Sequence, residues 1–303
     1  MKNRELFGHI ISIFTILVWG TTFISTKIIL KDFMPVEILF IRFLMAYIAL
    51  ILIYPKFHKI KSFKDELLFL GLGLSGVSLY FITENMALKF TIASNVGLII
   101  STAPIITAIL ANYFTKDEKM NRKLFWGFMI AILGIFLVMF NGRFILKLNP
   151  KGDLLTLAAA LTWAIYSVLV RLVDKGYNSI LATRKIFFYG ILTSIPLLIL
   201  FRADLKPENP LNATLIVNII FLGLIASALC YVTWNKAVSI LGSVRTSNYI
   251  YLIPFVTMVT SVIVLNEKIN VLTIIGAILI LTGVYVSENG FTKLPLSICK
   301  KTP

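Results

Sequence analysis

Acidic side chains are scarce in this chain. There are 14 Asp and Glu against 29 Lys and Arg, and charged residues together make up only 14%. Soluble domains carry about 25% charged and roughly 45–50% apolar residues. Here the apolar share is 58% and the mean hydropathy is +0.90, which excludes a soluble globular protein and a disordered one alike. The two cysteines, Cys230 and Cys299, cannot build a disulfide framework or a cysteine metal site. The two histidines, His9 and His58, stand apart, and no His-Glu-x-x-His, Gly-x-Ser-x-Gly or paired-carboxylate arrangement occurs. The sequence therefore predicts no enzyme: no catalytic residue, no metal site and no cofactor. A Gly-x4-Gly-Lys-Ser/Thr phosphate loop is also missing, which argues against an ATP-driven pump. Gly (17) and Pro (10) are too few for a fibrous or low-complexity chain.

Uninterrupted apolar sequence is what the chain has in plenty. A spanning helix needs about 20 mostly apolar residues, because it rises 1.5 Å per residue through a core of about 30 Å. Nine stretches free of Asp, Glu, Lys and Arg qualify: 6–26, 67–83, 90–115, 124–142, 154–170, 186–201, 209–235, 246–266 and 269–287. A tenth, 36–54, is interrupted only by Arg42 and, at its edge, Glu37. Lys2 and Arg4 ahead of the first run resemble a signal peptide. The run lacks a small-x-small cleavage site and many similar runs follow, so it reads as a retained first span.

The basic residues lie in the short connections, which is an orientation signal and not a nucleic-acid footprint. With the N-terminus inside, cytoplasmic segments carry 19 of the 29 and the opposite side 8; Lys27 and Arg42 fall within spans. The bias predicts a multi-pass protein of the cytoplasmic membrane with both termini in the cytoplasm. The segment 143–151, with three basic residues outside, runs against it. The expected partners are the lipid bilayer and a small-molecule substrate, with no nucleic acid, the chain acting as a monomer or a homodimer.

The two halves of the chain match in order. Trp19 and Lys27 pair with Trp163 and Arg171, and Arg42 with Arg184. Asn85, Ala87 and Pro104 pair with Asn235, Ala237 and Pro254, Glu118–Lys119 with Glu267–Lys268, and Gly134 with Gly283. Five spans per copy is odd, so the second copy enters from the opposite side. This predicts an all-α integral membrane fold of ten helices in two inverted five-helix repeats, 8–142 and 152–288, followed by a cytoplasmic tail 289–303. Inverted repeats are the architecture of secondary transporters, which place substrate at the repeat interface.

The Trp-x7-Lys/Arg of each first span, and the Asn-x-Ala followed 17 residues later by Pro, carry a resemblance. With the acidic-basic pair and the Gly-punctuated last helix, the chain resembles a ten-span EamA-type member of the drug/metabolite transporter superfamily over about 10–288. The resemblance implies export or exchange of small metabolites such as amino acids. It also implies a central cavity lined by the first, third and fourth spans of each half. Efflux by alternating access is the function expected; a non-transporting receptor or a channel-like facilitator is the alternative.

Helical spacing gathers polar and aromatic residues on shared faces. In the first half these are Trp19 and Thr22, then Tyr80, Thr83 and Glu84, then Asn95. In the second half they are Trp163 and Tyr166, then Tyr231 and Trp234, then Asn248 and Tyr251. Such faces suit an organic, partly polar solute. Each has a plainer reading: Trp and Tyr as interfacial anchors, Ser and Thr bonded to their own helix, Gly for close packing. Pro104 and Pro254 can be gating hinges or static kinks. Asn85 and Asn235 read as structural hydrogen-bonding residues. Arg42 and Arg184 lie close enough to span ends to snorkel.

Glu84 is the most informative charge, because Trp234 takes its place in the second copy. It lies about 17 residues along its span and Lys27 about 19 along the first, which puts both at roughly 25–29 Å of rise. A Lys27–Glu84 pair at the outer face, acting as gate or coupling element, is the expectation, since pairing lowers the cost of each charge.

Overall fold

The computed structural model describes residues 2–56, 62–91, 93–115, 122–140, 149–173, 177–205, 213–265 and 271–290. Every regular element among the described residues is helical. The first half contains α1 (Lys2–Ile29), α2 (Pro35–Ile53), α3 (Phe63–Phe90), α4 (Ala93–Ile100), α5 (Ala103–Phe114) and α6 (Arg122–Phe140). The second contains α7 (Pro150–Leu172), α8 (Ser179–Leu200), α9 (Ala213–Leu241), α10 (Ser243–Ser247), α11 (Ile253–Leu265) and α12 (Val271–Asn289).

Local chemistry sets the boundaries. Pro35 opens α2 in the first turn, where its missing N–H costs nothing. The Glu37 side chain reaches back to accept the Met34 N–H at 2.7 Å. Its other oxygen accepts the Asp204 and Leu205 N–H groups at 2.9 and 3.0 Å, so one buried carboxylate pins the end of α8 to the start of α2. Ser62, Asn149 and Asn178 cap α3, α7 and α8 through side-chain oxygens. At the other end of α2, Arg184 donates to the Tyr54 and Lys56 carbonyls at 2.7 and 2.6 Å, supplying donors where the helix has run out of its own.

Both halves break a helix ahead of the paired prolines. The stretch 90–115, expected as one span, is two helices separated at 101–102, with Pro104 in the first turn of α5. In the second half Gly242, at φ +94°, ends α9, and a 3-10 turn (Asn248–Leu252) leads into α11, where Pro254 is the second residue. A proline interrupts the ladder on its N-terminal side, so each stands where a new segment begins. The third helix of each half also shares a feature. α3 carries a π-helical segment at Leu74–Leu79 and α9 one at Phe221–Leu229.

Helices of one half pack on helices of the other in matched pairs. α1 lies on α9 and α3 on α7; α2 lies on α8; α6 lies on α12; α1 meets α11 as α7 meets α4 and α5. Glycines permit the closest of these approaches. A Cβ on Gly134 would stand 2.6 Å from the Gly276 carbonyl, and one on Gly283 2.6 Å from the Ala131 nitrogen, so α6 and α12 meet backbone to backbone.

The outer surface is apolar. Leu6, Phe7, Ile10, Ile13, Phe14 and Leu17 expose one stripe of α1, and Leu52, Ile199 and Leu200 are each more than 70% exposed. Water would penalise such a surface; lipid does not. Among the described residues seven helical stretches are long and apolar enough to cross a membrane: those at 3–29, 35–53, 63–90, 96–114 (α4 and α5 taken together), 150–172, 179–200 and 213–241. The chain is a multi-pass membrane protein. Of the remaining helices, α10 is a five-residue segment, and α6, α11 and α12 adjoin stretches outside the described residues.

Candidate functional site

Where the two halves meet, aromatic rings form one cluster. Trp19 stands 5.1 Å from Trp163, 5.0 Å from Trp234 and 5.7 Å from Tyr231, between ring centroids. Trp163 also meets Tyr80 at 4.9 Å and Tyr166 at 5.0 Å. Each such pair adds about 0.5–1.5 kcal/mol beyond its area. Hydrogen bonds across the halves fix the ring positions. Trp19 Nε1–H donates to the Ala226 carbonyl at 2.9 Å and the Tyr231 hydroxyl to the Gly76 carbonyl at 2.6 Å, both acceptors lying in or beside the π-helical segments.

Beside this cluster is a small cavity lined by Trp19, Thr22, Phe23, Arg42, Tyr80, Phe81, Glu84, Trp163 and three isoleucines. Both charged residues are buried, Arg42 3% and Glu84 4% exposed. Arg42 Nε–H donates to Ser227 Oγ at 2.9 Å, and its guanidinium lies 4.3 Å from the Phe81 ring centroid. Both side chains line the same cavity, and no direct ion pair joins them among the described residues. Glu84 Oε2 and Trp163 Nε1 are buried with no hydrogen-bond partner among the described residues. The cavity wall thus carries a carboxyl group, an indole ring and a guanidinium, with two polar atoms still unpaired among the described residues. Its volume, about 30 Å³, holds little more than water, so an organic solute requires it to widen.

The cavity brings together Trp19, Thr22, Tyr80, Glu84 and Trp163 from the faces read off the sequence. The others lie elsewhere. Thr83 bonds back to the Leu79 and Tyr80 carbonyls of its own helix. Tyr166, Tyr231 and Trp234 form a fully buried layer behind the lining rings. Asn248 donates to Ser287 Oγ at 3.0 Å and Tyr251 packs toward Phe128, so both tie the 3-10 turn to the last helices. Pro104 and Pro254 stand in the first turns of α5 and α11 and are not themselves in the lining, although Ile253 beside Pro254 is, and the Asn95 side chain lies outside the described residues.

Lys27 is exposed on the last turn of α1, one turn beyond Phe23, and no ion pair joins it to Glu84 among the described residues. The basic residue in the cavity is Arg42. Sequence reasoning passed over it because an arginine a turn or two inside a span is long enough to snorkel. The signal available was its matched partner Arg184, since both halves keep a guanidinium at this depth. Neither snorkels: Arg184 is 5% exposed and bound to carbonyls. Asn85 and Asn235 do serve as hydrogen-bonding residues, Asn85 donating to the Pro35 carbonyl and Asn235 to Thr183 Oγ1, each at 3.0 Å.

Known proteins share this sequence and fold. A solved crystal structure superposes with a TM-score of 0.74 over 92% of this chain and 96% of that one, at 19% identity. An uncharacterized transporter of Archaeoglobus fulgidus is 31% identical, covering 92% of this chain and 96% of its own. An uncharacterized transporter of Bacillus subtilis is 30% identical over 97% of each chain. A protein of Escherichia coli named "Probable amino-acid metabolite efflux pump" is 24% identical over 93% of this chain and 94% of its own. The EamA-like transporter family model matches twice, at 6–140 and 150–288, in register with the two halves that pack around the cavity. The chain is a membrane transporter and belongs to the EamA-like transporter family.

Proposed function

We propose that the chain is a secondary carrier that exports a small organic metabolite, an amino acid or a related compound, by alternating access. In this reading ten spans form two inverted five-helix repeats, 8–142 and 152–288, with both termini and the tail 289–303 in the cytoplasm. No cofactor and no catalytic step take part. The single observation that carries the reading is the cavity between the halves, where Arg42 and Glu84 face one space walled by Trp19, Tyr80 and Trp163. A cation and an anion in one aromatic-walled site match the two charges and the side chain of an amino acid. The matched inter-half pairs and the two π-helical third helices support the inverted repeat, because each contact has its counterpart under exchange of the halves. Near-equivalent halves can trade roles, which keeps the inward-open and outward-open states close in energy.

The test is counterflow in proteoliposomes. Vesicles loaded with an unlabelled amino-acid mixture should accumulate a labelled amino acid transiently and saturably. Flux without saturation or counterflow identifies a channel, and no flux with any solute class identifies a receptor.

A further inference from the structure

A second cavity lies at the end of the bundle that carries the N-terminus. Four helix ends wall it: the start of α1, the end of α7, the start of α8 and the last turns of α9. At about 80 Å³ it is larger than the central cavity, and its lining is more polar. Arg4 and Lys236 supply two positive charges; Tyr177, Ser179, Asn235 and Ser239 supply hydroxyl and amide groups; among the described residues no carboxylate lines it. Neither Arg4 nor Lys236 has an ion-pair partner among the described residues.

The orientation bias accounts for basic residues in connecting loops. It does not account for Lys236, which sits inside α9, half-buried, five residues before the helix ends. Arg4 is exposed and Lys236 half-buried; two like charges lining one cavity repel each other, and an anion placed between them relieves this. Ser179, the first residue of the 22-residue α8, adds the positive end of a helix dipole to the same wall.

The cavity is also connected to the central one. Asn235 lines it, and Asn235 Oδ1 accepts the Tyr166 hydroxyl at 2.6 Å. The Tyr166 ring in turn lies 5.0 Å from Trp163, which lines the central cavity. Two side-chain layers therefore separate the two spaces.

We infer that this cavity is an anion-selecting vestibule in which Arg4 and Lys236 receive the carboxylate of a solute on its way to the central site, behind the Tyr166–Asn235 barrier. The loading role rests on the carrier reading above; the charge selectivity does not. Organic carboxylates and anionic lipid headgroups share this chemistry, and the experiment separates them.

The full chain, with Cys299→Ser and Ser239→Cys, is reconstituted in phosphatidylcholine vesicles. It is labelled with the 2-sulfonatoethyl and the 2-(trimethylammonio)ethyl methanethiosulfonates, each rate normalised to that on free cysteine. Cys230 is fully buried, and the chain without Ser239→Cys measures any labelling there. The anionic reagent should be favoured about tenfold, the scale of a potential set by two nearby charges. Arg4→Gln with Lys236→Gln should abolish the preference. Raising salt to about 1 M should also shrink it with both cations in place, which keeps the test independent of how the double variant folds. Phenylacetate should protect the thiol and phenethylamine should not, with or without phosphatidylglycerol in the vesicles. Equal normalised rates for the two reagents, a preference indifferent to salt and to both substitutions, or protection that comes from phosphatidylglycerol and not from phenylacetate each overturn the proposal. Labelling requires no transport, so a chain that fails in counterflow but keeps the preference refutes only the loading role.

Discussion

Gly76 is where one added carbon disturbs the most. A Cβ there would stand 2.1 Å from Tyr166 Cδ2 and 2.5 Å from Cγ, so the ring has to move. Tyr166 is wholly buried and its hydroxyl donates to Asn235 at 2.6 Å, so displacing it strains packing and opens a buried hydrogen bond. Overpacking of this kind costs about 1–3 kcal/mol. Leaving a buried acceptor unpaired costs about 1–3 more. Gly76→Ala should therefore lose roughly 2–6 kcal/mol, a fall of about 5–15 °C in the melting midpoint for a chain of this size. The molecule supplies its own controls. A Cβ on Gly97 would meet nothing within 4 Å, and one on Gly71 only Leu169 Cδ1 at 3.4 Å. Gly97→Ala and Gly71→Ala should stay within about 2 °C of the parent. Gly73→Ala, whose Cβ would lie 2.5 Å from the Gly190 nitrogen, should fall with Gly76→Ala. The assay is fluorescence-detected size-exclusion chromatography after a temperature series in detergent. If all four variants melt together, the inter-half packing described here is wrong.

Arg42→Met and Glu84→Gln should each abolish most counterflow and couple non-additively in a double-mutant cycle. Lys27→Gln should combine additively with Glu84→Gln, because it stands outside the cavity. Glu37→Ala strands three backbone N–H groups and should cost about 2–4 kcal/mol in the same melting assay, with counterflow retained below the transition. Both Trp19→Phe and Trp163→Phe lose ring packing; Trp19→Phe should cost about 1 kcal/mol more, the share of its bond to the Ala226 carbonyl, whereas Trp163→Phe, whose N–H has no partner among the described residues, should show its larger effect as lost affinity for the solute in counterflow.

The membrane class and the doubling of the chain were legible because both leave a periodic or spaced record in the sequence. Apolar runs must be about 20 residues long to cross a bilayer, and repeats keep order. That Trp19, Tyr80, Glu84 and Trp163 turn toward one interior space was legible because polar or bulky residues inside a span need a reason to be there. Layering within the site left no such record. Trp163 and Trp234 look alike as letters, yet one lines the cavity and the other lies fully buried behind it. Which of them faces the space depends on how α7 and α9 turn against α1, and only packing between distant segments decides that. The π-helical segments were invisible for the same reason, since Leu74–Leu79 and Phe221–Leu229 read as ordinary apolar helix. The proline breaks were half legible: Pro104 and Pro254 marked the place, but not that a 3-10 turn precedes one of them alone.

The asymmetry between the halves carries the functional weight. A perfectly doubled chain would place like groups on both sides of the central space, and two carboxylates or two guanidinium groups there would repel. Here the matched pairs have diverged. Glu84 is matched in sequence by Trp234, and Arg42 lines the cavity while Arg184 is spent on the Tyr54 and Lys56 carbonyls. The result is one buried acid and one buried base in a single aromatic enclosure, neither closed into a direct ion pair. A direct pair would be stable and inert. On the proposed reading, an acid and a base lining one cavity without a direct pair, the base anchored by Ser227 and Phe81, leave a polar site that a solute bearing both charges can complete. Widening a space of about 30 Å³ means breaking inter-half bonds such as Trp19 to Ala226, Tyr231 to Gly76 and Thr257 to Gly20. At about 1 kcal/mol net for each, the total is a few kcal/mol. Two charge-assisted hydrogen bonds from a bound solute, at about 1.5–3 kcal/mol each, are of the size that offsets it. On the proposed carrier reading, substrate binding and helix movement are then comparable in energy, and a solute that supplies only one of the two charges should leave the bundle closed.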